Sequence, residues 1–300
     1  MSRPPDTCVT APQWTGTRSR SARRWTTMRL YVLMLALPAA FFLVFFVWPV
    51  LRVIARSFLE PSVGLSNYRT IVHQAPFLSV LAQTFAIAAS VTAICLLLAY
   101  PLAFFISRQR GFVVKLATGL IMLPLWTSVV IRSYAWMVLF QRDGMVNQVL
   151  LKTGIVDAPV RILQTVIAVE VGMVYVLLPF MVLPILAAMR NVDLNLLQMG
   201  RVLGAPPLRL FLRVYVPLTA SGVTAGVTLV FITALGFYVT PALLGGSKGT
   251  MAAVLIADQA STYFNWPLAS ALATVLMFAT IAVYFTYHRL TRISPARLFQ

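Results

Sequence analysis

The chain has few of the residues from which soluble enzymes build their surfaces and active sites. Of its 300 residues only 10% are charged, seven are acidic, two are histidine and two are cysteine, whereas 60% are hydrophobic. Soluble domains carry about 25% charged residues, and a chain of this length cannot bury so much apolar surface in a water-soluble core. The shortage of charge therefore favours lipid as the solvent of most of the chain.

The scarcity of cysteine, histidine and acid also removes several classes of functional site. Cys8 and Cys95 are far apart, and Cys95 lies in an apolar run, which is typical of a small hydrophobic residue rather than of a disulfide. The sequence contains no P-loop, no HExxH motif, no Ser/His/Asp set and no paired carboxylates. It therefore predicts no catalytic site, no metal site and no nucleotide bound by this chain.

The net charge of +17 raises the alternative of nucleic-acid binding, but the positions of the basic residues favour a membrane protein. They cluster at the ends of apolar runs, as the positive-inside rule predicts. Six of these runs approach or exceed the roughly 20 residues that a spanning helix needs, and Arg132 interrupts the third. The six predicted spans cover residues 30–51, 80–106, 113–140, 164–189, 214–240 and 267–288.

The distribution of basic residues predicts that both termini are cytoplasmic. On this assignment, 16 of the 24 basic residues lie on the cytoplasmic side and eight on the other. The cytoplasmic segments are the first 29 residues, the 107–115 turn, the 190–213 segment and the C-terminus. Arg23-Arg24 before an apolar run resembles a twin-arginine export signal, but the run that follows is too long for one and is predicted to be retained.

These patterns divide the chain into three regions. Residues 1–29 form a basic tail with the composition of a disordered segment, residues 30–290 form a transmembrane domain, and residues 291–300 form a second cytoplasmic tail. Turn residues in the 52–79 and 141–163 loops predict external connections that carry short interfacial helices.

The segment "LLQMGRVLGAPPLRLFLRVYVPL", residues 196–218, differs from the apolar runs beside it in its arginines, glycines and prolines. Three polar residues share one helix face in and just before it: Asn195, Gln198 and Arg201. The leucines and methionine around them make this helix too apolar to lie free in water. Gly204 is expected to end the helix with positive φ, and Pro206-Pro207 suits the first turn of another. On the residues alone, two roles for this helix stay equally open: it docks on a partner protein, or it lies on the lipid surface.

With Gly204 and, thirteen residues later, Pro217, this segment resembles the cytoplasmic loop of ABC importer permeases. In that family the loop begins Glu-Ala-Ala, has a glycine four residues after the second alanine, and forms coupling helices that dock into a cleft on the ATPase subunit. Here Gln198-Met199-Gly200 stands in place of Glu-Ala-Ala. Gln198 keeps hydrogen-bonding capacity without the charge, and Gly200 loosens the helix by about 1 kcal/mol relative to alanine.

The resemblance covers nearly the whole chain after residue 30. Four stretches are similar to the first permease of spermidine/putrescine-type importers: "PLWTSVVIRSYAW" (124–136), "YVLLPFMVLPI" (175–185), "LLGGSK" (243–248) and "NWPLASALA" (265–273). The resemblance implies an all-α, polytopic inner-membrane permease with the Type I ABC importer fold, which carries polyamines or other small solutes. It implies as partners an ABC ATPase dimer, a second and non-identical permease, and a periplasmic solute-binding protein. ATP would act through the ATPase, so that this chain is not an enzyme and binds no cofactor.

Glu170 is the one acidic residue well inside a predicted span, which makes it a functional candidate by default. A carboxylate near an aromatic ring such as that of Tyr175 suits a polyamine cation. The alternatives for Glu170 are an ion pair with Arg132 and a place near the external interface. Asp258 and Trp266 are candidates for an outer gate or for contact with the binding protein, although interfacial anchoring is the commoner role of tryptophan there.

Two other functional classes stay open on the residues alone, namely an integral membrane enzyme and a channel that works without an ATPase. An enzyme would need more intramembrane histidine or acid than Glu170 supplies. A channel would usually show a selectivity loop or a charged ring. Purification separates these classes, because a permease should bring an ATPase with it.

Overall fold

The computed structural model describes residues 34–60 and 63–293, and these residues form α-helices and connecting loops without a strand. The basic tail expected at residues 1–29 lies outside the described residues, as do residues 294–300 of the expected C-terminal tail. The helices are α1 (Met34–Leu59), α2 (Ser66–His73), α3 (Ala75–Arg108), α4 (Phe112–Trp126), α5 (Val129–Leu139), α6 (Met145–Lys152), α7 (Val166–Arg190), α8 (Leu194–Val202), α9 (Pro207–Leu235), α10 (Val239–Leu244), α11 (Ala252–Ser261) and α12 (Trp266–Ile293).

The chain forms two units, Met1–Val53 and Ile54–Gln300. The described part of the first unit is the N-terminal part of α1, in which Phe42 and Phe46 stack with ring centroids 5.2 Å apart. The second unit contains the end of α1 and all the later helices.

Five helices in the described part of the chain are long and apolar enough to cross a membrane: α1, α3, α7, α9 and α12. They correspond to five of the six predicted spans, with ends displaced by several residues. The remaining predicted span, residues 113–140, is not one continuous helix. Those residues form α4 and α5, which are bent by 95° where they meet and which count as a sixth span if the bent pair crosses the membrane as one unit.

The bend between α4 and α5 follows from Pro124 and the polar side chains after it. After α4 ends, the backbone of Thr127 and Ser128 is extended, so the carbonyl of Pro124 lacks its helical hydrogen-bond donor. The Thr127 hydroxyl donates to that carbonyl at 3.2 Å, and Nη1 of Arg132 donates to it as well. Side chains therefore replace the backbone donor, as broken helices in membranes require.

The main core lies among α3, α7 and α9. Cys95 on α3 is completely buried and has a free thiol, which confirms the small-hydrophobe interpretation. Met173, Leu177 and Met181 on α7 are completely buried in the same cluster, together with Val230 on α9. The face of α7 toward the other two helices is therefore sealed from lipid and water.

The two connections predicted to be external carry short helices, as expected. In the first, α2 packs through Ile71 against Leu81 of α3 and Leu272 of α12 in a second, smaller core. In the second, the buried side chain of Asn147 on α6 holds the following loop. Its Nδ2 donates to the carbonyl of Val160 at 3.0 Å, and its Oδ1 accepts from the Val160 N–H at 3.0 Å.

The backbones of α7 and α9 approach closely because α9 presents glycines to α7. A Cβ on Gly222 would lie 2.5 Å from the Ala188 Cβ and 2.6 Å from the Pro184 carbonyl oxygen. One turn further along, a Cβ on Gly226 would lie 2.9 Å from the Met181 sulfur. Small residues four apart are a recurring device for close helix packing in membranes, where leaving lipid gives apolar side chains little gain.

We expect Gly222→Ala to lower the thermal stability of the detergent-purified protein, because the new methyl group would meet the rigid backbone at Pro184. Overpacking of this kind costs about 1–3 kcal/mol. Gly119→Ala is the matched control, since Gly119 lies in α4 and an added Cβ there has no atom of the described residues within 4 Å. Its melting temperature should stay the same or rise slightly. Equal melting temperatures for the two variants would contradict a tight α7–α9 contact.

Candidate functional site

The helix α8 has a defined start and a defined end. At its start, the Asp193 carboxylate accepts a hydrogen bond from the Asn195 N–H at 2.9 Å, which is a helix N-cap. At its end, Gly204 has φ +81°, and the Ala205 N–H donates to the Gly200 carbonyl at 3.1 Å. This pattern is a common glycine-dependent helix end. The helix break and the positive φ predicted at Gly204 are both confirmed.

The second helix of the segment begins at Pro207, as the Pro206-Pro207 pair predicted. It continues to Leu235 as α9, so that this helix and the fifth predicted span form one element, with Pro217 inside it. One π-helical turn, Phe211–Tyr215, ends two residues before this proline, which has no N–H to donate to the preceding turn.

One side of α8 packs on the first turns of α9. Leu197 is 8% exposed, and Leu210 on α9 is 7% exposed. A Cβ on Gly200 would lie 2.4 Å from Cδ2 of Leu210. The glycine that stands where related loops have alanine therefore lets α8 lie close against α9.

The opposite side of α8 is apolar and uncovered within the described part of the chain. Met199, Val202 and Leu203 are 65%, 88% and 86% exposed. The polar residues of the segment are exposed as well: Asn195, Gln198 and Arg201. A cluster of exposed large apolar side chains beside polar ones is typical of a contact surface. We refer to Met199, Val202 and Leu203 as the exposed face of α8.

An aromatic cluster fastens the start of α9 to the end of α3. Tyr215 is 2% exposed and meets the Phe104 ring edge to face, with centroids 5.5 Å apart. The guanidinium of Arg108 lies 4.9 Å from the centroid of the Phe104 ring. One turn deeper, the hydroxyls of Tyr100 and Thr219 are hydrogen-bonded at 3.1 Å. The first turns of α9, against which α8 packs, are therefore held to α3 by aromatic and polar contacts.

Glu170 lies four residues after the start of α7 and is partly buried. Its carboxylate accepts a hydrogen bond from the hydroxyl of Ser90 on α3. The ion pair with Arg132, which the sequence left open, does not form. Among the described residues the one salt bridge joins Arg56 and Glu60.

The other candidate residues for the solute path lie in separate places. Tyr175 is 37% exposed and meets Trp136 edge to face at 5.8 Å. Trp266 begins α12, with the guanidinium of Arg56 5.8 Å from its ring centroid, and Asp258 lies partly buried on α11. In the described residues no hydrogen bond, salt bridge or ring contact joins any two of Glu170, Tyr175, Asp258 and Trp266.

A cavity of about 350 Å³ lies beside Arg132. Its walls come from α5, from Leu177 and Phe180 on α7, and from Gly236 and Tyr238 just after α9. The Nε atom of Arg132 is buried there without a hydrogen-bond partner in the described part of the chain. In a membrane protein, charged residues line cavities rather than face lipid, and the cavity shows why this arginine is tolerated in a broken span.

Several of these residues were not identified from the sequence. Ser90, the donor to Glu170, is a polar residue in an apolar run, which is a weak signal on its own. Arg108 was counted only toward the charge balance of the 107–115 turn. Gly222 and Gly226 carried the clearest signal, because a four-residue spacing of glycines in an apolar run predicts a helix contact face.

Residues 9–299 match the family described as the inner membrane component of binding-protein-dependent transport systems. The chain is 38% identical over 260 residues to the spermidine/putrescine transport system permease protein PotB of Haemophilus influenzae, across 83% of this chain and 91% of that protein. It is 35% identical over 237 residues to PotB of Escherichia coli, across 78% of this chain and 86% of that protein.

The structure resembles a bacterial alginate ABC transporter that was solved in complex with an alginate pentasaccharide-bound periplasmic protein. The TM-score is 0.75 over 91% of this chain and 99% of that chain, at 16% identity. At this identity the likeness shows the fold alone, and it confirms the all-α permease fold predicted from the sequence. Together with the family match over nearly its whole length, this shows that the chain belongs to the inner-membrane components of binding-protein-dependent transport systems and is the permease subunit of an ABC importer, not an enzyme.

Proposed function

We propose that this permease carries a polyamine such as spermidine or putrescine across the inner membrane. The two PotB proteins, 38% and 35% identical to it, are named for the transport of these solutes. Glu170 supports the same class of solute, because it is the one acidic residue within the five long apolar helices. Charge-assisted hydrogen bonds from ammonium groups to a carboxylate are about twice as strong as neutral ones, so a partly buried acid favours a cation.

The coupling to ATP is carried by the exposed face of α8. Val202 and Leu203 are 88% and 86% exposed at the end of this helix, on the segment that resembles a coupling loop. We assign a cytoplasmic ABC ATPase dimer as the partner that binds this face. The ATPase hydrolyses ATP, and this chain binds no cofactor itself. Gly204 sets the angle between α8 and α9, so that a partner that moves α8 also moves α9.

The helix α9 is suited to carry that movement across the membrane. Its 29 residues span about 43 Å at 1.5 Å per residue. Its first turns pack under α8, and its far end contributes Thr233 to the wall of the Arg132 cavity. Because Gly222 holds α9 against α7, both helices shift together when the ATPase subunits close.

Transport then follows an alternating-access cycle. Closure of the ATPase dimer draws the coupling helices of this chain and of a second, non-identical permease together, which turns the pair outward to receive solute from a periplasmic binding protein. The solute crosses along the interface between the two permeases as they return to the inward-facing state.

The topology with both termini in the cytoplasm fits the structure as well as the charge balance. Arg108, at the end of α3, and Arg201, on α8, line one cavity, so the 107–115 turn and the 190–213 segment share a side. A reporter that is active only in the periplasm should be silent when it is fused after Gln300. The same reporter fused after Gly154, between α6 and α7, should be active. Activity after Gln300 would contradict this topology.

We expect Glu170→Gln to raise the solute concentration needed for half-maximal uptake by about tenfold or more. The loss of one charged hydrogen bond removes about 1.5–3 kcal/mol, and each 1.4 kcal/mol is a factor of ten. Complex assembly and basal ATPase activity should not change. Glu60→Gln, which removes an exposed acid paired with Arg56, is the control and should transport normally. Normal uptake by Glu170→Gln would remove Glu170 from the solute path.

We expect Gly204→Asp to abolish transport and to release or uncouple the ATPase, while the permease still inserts. A residue with a Cβ is strained at φ +81°, and an added Cβ meets no atom of the described residues within 4 Å. We therefore expect the larger side chain to clash with the partner. Gly111→Asp is the matched control. Gly111 has φ +66° and equally open space, but it lies at the start of α4.

The measurement is a pull-down of tagged ATPase and its stimulation by loaded binding protein. Gly111→Asp should behave as wild type in both assays. If Gly204→Asp also stays assembled and fully stimulated, α8 is a helix that lies on lipid and has no coupling role.

A further inference from the structure

A small cavity opens between the end of α3 and the α8–α9 segment, and two arginines line it. Its volume is about 180 Å³, and its walls are mostly apolar or aromatic. The lining residues include Phe104, Arg108, Arg201 and Tyr215. None of the lining residues is acidic.

Arg108 is held in place at this cavity by aromatic rings. Its guanidinium carbon lies 4.9 Å from the Phe104 ring centroid and 5.7 Å from that of Tyr215. Contacts of this type orient an arginine while leaving its N–H donors free to bind an anion. Arg201 lines the same cavity from α8, and neither arginine forms a salt bridge in the described part of the chain. Two cationic groups therefore line one cavity without a carboxylate between them.

The surrounding segments do not supply the missing negative charge. The 107–115 turn and the 190–213 segment contain seven basic residues and one acid, Asp193. The Asp193 carboxylate is engaged as the N-cap of α8. The position where related loops carry glutamate is the exposed, neutral side chain of Gln198. The charged residues of these two segments are therefore predominantly basic, and acidic groups on a partner would complement them.

We propose that a carboxylate side chain of the ATPase subunit enters this cavity and pairs with Arg108 and Arg201. The proposal rests on the assignment of α8 as the helix that docks on the ATPase, and it names the chemistry of the contact. On the assignment of α8 to the ATPase contact, the anion comes from a protein rather than from a lipid phosphate. Val202 and Leu203, which follow Arg201 directly, are 88% and 86% exposed and need an apolar cover beside that anion. A cleft on a protein supplies the carboxylate and the apolar cover together.

Reversing the charge of Arg201 tests the proposal in the assembled transporter. We expect Arg201→Glu to weaken the affinity of the purified permease complex for its ATPase at least tenfold, and Arg201→Gln to weaken it less. Arg110→Glu is the matched control, since it makes the same charge change two residues beyond Arg108 but does not line the cavity. It should bind the ATPase nearly as wild type does. In about 1 M salt, which screens charges beyond about 3 Å, the difference between the two variants should shrink.

A rescue experiment identifies the partner group. Acidic residues of the ATPase cleft are changed one at a time to lysine, and one of these changes should restore binding to Arg201→Glu. The assay is repeated in vesicles of phosphatidylcholine and in vesicles that also contain phosphatidylglycerol. Equal effects of Arg201→Glu in both lipids support the carboxylate. An effect that appears only with phosphatidylglycerol assigns the cavity to a lipid phosphate and overturns the proposal.

The outcomes separate this inference from the coupling role of α8. If Arg201→Glu and Arg110→Glu bind equally well while Gly204→Asp releases the ATPase, α8 docks on the ATPase without this ion pair. If Gly204→Asp also leaves the complex intact, the coupling role fails and the acidic contact fails with it.

Discussion

The close contact between α7 and α9 is the constraint on which the rest of the structure depends. In a membrane, apolar side chains gain little by leaving lipid for protein, so helices associate where their backbones can approach. Gly222 and Gly226 provide that approach, and the completely buried residues of α7 fill the space on either side. Because α9 is fixed along its length against α7, its two ends cannot move independently of each other.

The ends of α9 lie at the contact with α8 and at the Arg132 cavity. At one end, Leu210 receives the close contact of Gly200, and Tyr215 is buried against Phe104. At the other end, Thr233 contributes to the wall of the Arg132 cavity. A single helix thus connects the exposed surface around α8 with a cavity between membrane helices. This arrangement suits a permease, which must convert a cytoplasmic movement into a change of access.

Charge is scarce in this chain, and Glu170 and Arg132 each bind an uncharged group, although Nε of Arg132 has no hydrogen-bond partner among the described residues. Glu170 is hydrogen-bonded by Ser90, and Arg132 donates to a carbonyl freed by the helix break, so neither depends on the other. Around α8 the basic residues outnumber the acidic ones, and Arg108 and Arg201 form no salt bridge within the described residues. The charge imbalance that marks the sequence as a membrane protein therefore leaves this surface positive.

The sequence by itself determined the class of the protein, the number and approximate place of its apolar runs, and the break at Gly204, because hydropathy, charge balance and the need for positive φ are properties of short stretches. Tertiary structure decided the bend between α4 and α5, since a broken and a straight helix have the same hydropathy. It also decided that Glu170 is bonded by Ser90, 80 residues earlier in the chain, rather than by Arg132. Which side chains meet depends on how distant helices pack, and no local pattern contains that information.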